Sequence, residues 1–183
     1  MKCIVSIICF IVLSSCSTGV TSISTQASEY PLSNEKAYSK TSNIYIDLPY
    51  GWFVAEDNEC NCTDLWIVKD DYSGSISFRK INLDEETLHD LSGNETEKIA
   101  AYSKIFVRTI LGKNFDKFSG EETFKLGEKT FSAFRYVNEK NQRIRAVIFK
   151  HFDDFFESDA ISSGYSEFNE LIKIQNAVLS TLN

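Results

Sequence analysis

The chain has 183 residues, enough for one domain of ordinary size but not for two full hydrophobic cores. Apolar residues make up 43% of it, which excludes both wholesale disorder and a polytopic membrane protein. Acidic side chains outnumber basic ones, 26 to 19, for a net charge of −7 and a pI near 4.9. That balance argues against nucleic acid as a partner, because phosphate binding needs clustered Lys and Arg.

Lys2 precedes an apolar stretch, Cys3 to Leu13, broken only by Ser6. As a helix such a stretch reaches about 16 Å, half of a hydrocarbon core of about 30 Å, so it is a signal-peptide core and not a span. It ends in Leu13-Ser14-Ser15-Cys16. An aliphatic residue, two small residues and a cysteine resemble the bacterial lipobox, which implies that residues 1–15 are a cleaved leader and Cys16 the acylated first residue. Several acyl chains on one cysteine exceed the two signals that stable attachment requires. A protein so attached has the membrane as a partner and resides in the cell envelope, outside the cytoplasm. Ser17 rather than Asp follows the cysteine, which favours the outer over the inner membrane. An ordinary secretory cleavage with Cys16 incidental is the alternative. Residues 16–43 carry eleven Ser or Thr beyond the cysteine and little periodicity, and read as a flexible tether.

The folded part is expected over residues 44–183. Ile44, Ile46 and Leu48 alternate with polar neighbours as in a half-buried strand, and Pro49-Tyr50-Gly51 turns the chain into a second strand from Trp52. Leu65–Val68 and Ile76–Ile81 flank a polar connection and predict a hairpin. A short helix is expected after Asp84, with Leu88 and Leu91 on one face. A long one follows from Asn94 to Gly112, capped by Asn94 with Glu97 and buried through Ile99, Tyr102, Phe106 and Ile110. Strands are predicted at Thr123–Leu126, Thr130–Val137 and Ile144–Phe152, the last apolar on both sides and therefore central. An amphipathic helix, Ser166–Leu182, closes the chain with Phe168, Leu171, Ile172, Val178, Leu179 and Leu182 as its stripe. Together these predict an α+β fold, an antiparallel sheet sandwiched by helices, with a core rich in the thirteen phenylalanines that lie beyond the leader.

Pro49-x-Gly51-Trp52 after an alternating strand, the Leu65–Ile81 hairpin, a long middle helix, paired strands and a closing helix resemble the PsbP-like sandwich. That family includes an extrinsic photosystem II protein, a Ran-binding transport factor and many bacterial lipoproteins. The resemblance spans about residues 44–183 and implies a non-enzymatic adaptor or assembly factor with a protein partner and no cofactor. None of the family's metal or partner-binding residues can be placed on this chain. A lipid-anchored envelope protein would also not meet Ran.

The sequence holds no G-x-S-x-G, H-E-x-x-H, Walker or G-x-G-x-x-G motif, and no catalytic residue is assigned. Of the two histidines, His89 is expected exposed on a helix and His151 at the end of a strand. His151 leads into Phe152–Asp159, where Asp153, Asp154 and Glu157 offer oxygen ligands for a divalent cation. That run lacks the spacing and glycine of a calcium loop and reads instead as a solvated acidic loop. Cys60 and Cys62 remain as a pair after leader removal; a local disulfide, two free thiols and redox or metal work are all open to them. The acidic stretches Glu56–Asp64 and Asp153–Asp159 could select a basic partner but read first as solvated loops, and Trp52 and Trp66 as core. The expected function is a membrane-anchored binding, assembly or adaptor module. The alternatives are a toxin-immunity or chaperone-type lipoprotein, or a small envelope enzyme using His151 with Asp153 and Asp154, or Cys60 with Cys62.

Overall fold

The structure, a computed structural model, describes residues 24–25, 30–56, 62–84, 94–164 and 167–183. Ten strands and two α-helices are described: β1 (Ser24–Thr25), β2 (Leu32–Tyr38), β3 (Tyr45–Pro49), β4 (Trp52–Val54), β5 (Leu65–Lys69), β6 (Gly74–Ile81), α1 (Glu95–Leu111), β7 (Ser119–Leu126), β8 (Lys129–Val137), β9 (Arg143–His151), β10 (Asp154–Ser162) and α2 (Phe168–Ser180). Eight strands form one sheet in the order β1-β7-β8-β9-β10-β6-β5-β4, and β2 pairs with β3 as a separate ribbon. Pairing in the large sheet is antiparallel except at the edge, where β1 runs parallel to β7.

The period-two alternation of the central strands loads both faces of this sheet. On one side Ile76, Phe78, Phe124, Phe131, Phe149 and Phe156 pack against α2 and the β2–β3 ribbon. On the other, Phe134, Ala146, Ile148 and Phe155 pack against α1. The result is a layered α+β sandwich with two cores. α2 buries the expected residues, Phe168, Leu171, Val178 and Leu179, and Leu182 beyond its end is buried as well.

Four expectations are corrected. Folding does not wait for residue 44: β2 occupies Leu32–Tyr38, within the expected tether, with Ala37 opposite Ile46 and 1% exposed. One apolar side chain at the right register suffices there, because β3 supplies the backbone partners. Second, Asp154–Ser162 is not an acidic loop but a central strand bonded on both sides, to β9 and β6. Third, α1 is rotated from its expected face. It buries Ile99, Ala100, Ser103, Val107 and Leu111 and leaves Tyr102, Phe106 and Ile110 exposed. The sheet beneath already carries Phe134, Tyr136, Ile148 and Phe155, so the helix meets it with smaller side chains. Fourth, Trp66 is 37% exposed on an outer strand, whereas Trp52 is core. The short helix expected around Leu88 lies outside the described residues.

Gly112 ends α1 as expected, at φ +49°, where its N–H bonds to the Arg108 carbonyl. Asn94 does not cap the backbone; its amide donates to the Glu97 carboxylate at 2.9 Å.

Candidate functional site

His151 and Asp154 stand opposite each other in the β9–β10 register, with Asp153 in the turn between them, but their side chains engage different partners. His151 is buried on the α2 side, its ring 4.4 Å from that of Phe152 and its Nε2 3.4 Å from the Asn43 carbonyl. Burial is the main cause of its depressed pKa. Asp154 pairs with Lys80 at 2.7 Å, Asp153 is exposed, and Glu157 lies on the opposite face of the sheet. Among the described residues no group of three His, Cys, Asp or Glu side chains is placed to hold a metal. Cys62 is disulfide-bonded. Cys60 and His89 lie outside the described residues.

Charge is concentrated instead beneath α1. Glu157, 3% exposed, is bonded to Arg79 at 2.5 Å and receives the Ser103 hydroxyl of α1. Two residues on, Asp159 lies on the same face of β10; part of the residue reaches the surface, but its Oδ1 is buried without a partner. Burial pushes the Asp159 carboxyl well above the ordinary carboxylate range, and the Glu157 charge adds to this. Asp159 therefore keeps its proton to a higher pH than a free carboxyl does. The same burial and the same two carboxyls raise the pKa of the Tyr136 hydroxyl.

Such a pair resembles an acid–base dyad, but its partners are committed to holding α1 on the sheet. The proton has a consequence for stability. The folded state holds it more tightly than the unfolded chain, whose carboxyl titrates near 3.8. The stabilisation is fully present below that value and is lost as pH rises through the raised folded pKa. Asp159→Asn keeps the donor and removes the titration. It is expected to be more stable than the parent at pH 8 by about 1 kcal/mol or more, and to show a flatter profile between pH 5 and 8 in urea unfolding. An unchanged slope would mean that Asp159 is ionised in the fold.

A cavity of about 470 Å³ opens at the N-terminal end of α1, lined by Glu95, Glu97, Thr123, Lys125, Lys129 and Lys150 among others. Its charges are largely matched internally. Lys150 pairs with Glu95 at 3.0 Å, the Thr123 hydroxyl donates to Glu97 at 2.8 Å, and Lys129 donates to the Leu182 carbonyl. The two glutamates already supply the negative charge that a helix N-terminus favours.

The third feature is the outward face of α1, where Tyr102, Ile105, Phe106 and Ile110 are 51%, 66%, 51% and 67% exposed. Sequence reasoning placed three of these four in the core and missed the buried carboxyl pair. A signal for the pair was present: Phe155, Glu157, Asp159 and Ile161 recur at a period of two, and Arg79 lies at odd spacing on β6.

No family model matches the chain, and no curated protein sequence does. Solved structures do match. The solution structure of cyanobacterial PsbP (CyanoP) from Synechocystis sp. PCC 6803 superposes with a TM-score of 0.57 at 12% identity, covering 87% of this chain and 96% of that one. The Ran-binding protein Mog1p of Saccharomyces cerevisiae superposes with a TM-score of 0.52 at 11% identity, covering 84% and 96%. At such identities the likeness is one of fold, and the fold is the PsbP-like α+β sandwich expected from the order of elements.

Proposed function

We propose that this chain is a lipid-anchored envelope lipoprotein whose α+β domain serves as a non-enzymatic binding or assembly module. The observation that carries the reading is Leu13-Ser14-Ser15-Cys16 at the end of an apolar stretch too short to span a bilayer. Acylation at Cys16 would be the attachment. Ser17 after the cysteine favours the outer membrane. The binding role is supported by what the polar groups do. Glu157, Asp159, Arg79, Glu95 and Lys150 are engaged in contacts that hold elements together, while apolar surface is left open on α1. One structural neighbour is by name a Ran-binding protein, and that likeness of fold supports a protein-binding role here.

Metabolic labelling with palmitate is the test. The parent chain is expected to take up label and sediment with membranes. Cys16→Ala is expected to lose the label and leave the membrane fraction, with at least tenfold less protein sedimenting. An unlabelled parent chain would remove the anchoring half of the proposal. Cross-linking of the anchored chain in its own envelope tests the other half, where reproducible capture of no partner counts against a binding module.

A further inference from the structure

Attachment at Cys16 would limit how far the domain can stand from the bilayer. Ser24 and Thr25 are held against Phe124 and Lys125 of β7, so residues 17–23 alone separate the cysteine from the edge of the sheet. Those residues reach about 15 Å as a coil and roughly 24 Å at full extension. The β7 edge is therefore the side of the domain nearest the lipid.

α1 is tied to that edge. Lys104 pairs with Glu121 at 2.6 Å and lies 6.0 Å from the Phe118 ring, and the Thr123 hydroxyl donates to Glu97. The two helices present opposite chemistry outward. α2 exposes Asn169, Glu170, Lys173 and Ser180, whereas α1 exposes Tyr102, Ile105, Phe106 and Ile110 in one stripe. Exposed cations border that stripe: Arg108 beside it, and Lys113 and Lys117 just past its end. Among the described acids nearby, Glu95 is held by Lys150, Glu97 faces Thr123, Glu121 pairs with Lys104, and Asp116 lies among the cations. A basic rim on an acidic chain is charge complementarity for a negative surface. Apolar and aromatic side chains within a basic border are the pattern of a helix lying in the plane of an anionic bilayer.

We propose that the outward face of α1, centred on Ile105 and Phe106, lies on the anionic lipid surface to which Cys16 is attached, and so fixes the orientation of the domain. The inference rests on the lipid-anchored reading but is separable from it. The acyl chains hold the protein to the membrane, and α1 sets which side faces it.

The test uses the full acylated chain in vesicles of phosphatidylglycerol and phosphatidylethanolamine, with Tyr102→Trp as a probe and the parent chain as the background for Trp52 and Trp66. Lipids brominated along the acyl chain are expected to quench the added indole at least twofold. Adding Ile105→Glu and Phe106→Glu, both at exposed positions, is expected to abolish the quenching while the protein still floats with the vesicles. Phosphatidylcholine alone is expected to give at least twofold less quenching, and equal quenching would overturn the choice of an anionic surface. A floating chain whose added indole stays unquenched overturns the inference and leaves the anchor intact. An indole shielded only when envelope proteins are added assigns the face to a protein and likewise overturns it. A chain that carries no lipid and does not float removes both readings.

Discussion

Arg145→Ala is expected to lower the unfolding free energy by about 3–5 kcal/mol, measured by urea or guanidinium unfolding at pH 7. Arg145 is 0% exposed near the start of β9, on the face that α2 covers. Its Nη1 donates to Gln175 and Asn176 of α2, both at 2.8 Å, and its Nη2 to Glu122 at 3.1 Å. The guanidinium carbon lies 5.0 Å from the Phe124 ring centre. Burial pushes its pKa down to about 10, offset in part by Glu122, so the charge persists at neutral pH. Truncation would strip three acceptors of this donor and leave a cavity between the sheet and α2. Arg145→Met fills the volume without the charge and is expected to recover at least half of the loss, since a buried ion pair adds little over a well-packed apolar side chain. If the two variants lose equally, the hydrogen bonds rather than the packing hold α2. A loss below about 1 kcal/mol for the alanine variant would show that α2 docks through its apolar stripe alone.

Phe149→Ala is expected to cost a similar amount, about 3–5 kcal/mol. Phe149 is 0% exposed and joins three other rings: Phe78 at 6.3 Å, Phe131 at 5.9 Å and Phe156 at 5.7 Å between centroids. These rings come from β6, β8 and β10, so the loss spreads over the middle of the sheet. The cavity it leaves is walled by strands bonded on both edges, which restricts collapse. Phe149→Leu retains most of the volume and is expected to cost about 1–1.5 kcal/mol. A small loss for the alanine variant in thermal and denaturant unfolding would mean that this core is loosely packed. Because Arg145 and Phe149 lie on the same face of one strand, their double variant would report whether the aromatic chain and the arginine network couple.

The two largest departures from the sequence reading share a cause. Phe152–Asp159 has four acidic residues in eight, and a solvated loop is the ordinary home for such a run. What makes it a central strand is Arg79, contributed by β6 across the sheet, together with Ser103 from a helix more than fifty residues earlier. Neither partner is near in sequence, so the compensation for burying Glu157 was invisible along the chain. The same holds for β2, whose Ser33-Asn34-Glu35-Lys36 is polar and becomes a strand only because β3 offers it a register. On α1 both candidate faces recur at helical spacing, and the sheet's large side chains selected the smaller one.

The sequence by itself determined the β-alternation of the central strands, the closing helix with its apolar stripe, the glycine that ends α1 and the sandwich architecture. Each follows from steric or apolar preferences expressed within a few residues. Tertiary structure alone decided which side of α1 faces inward, that two carboxyls of β10 lie together under it, and that the ordered chain begins before residue 44. These depend on partners distant in the chain, whose volume and charge are felt only once the layers are stacked.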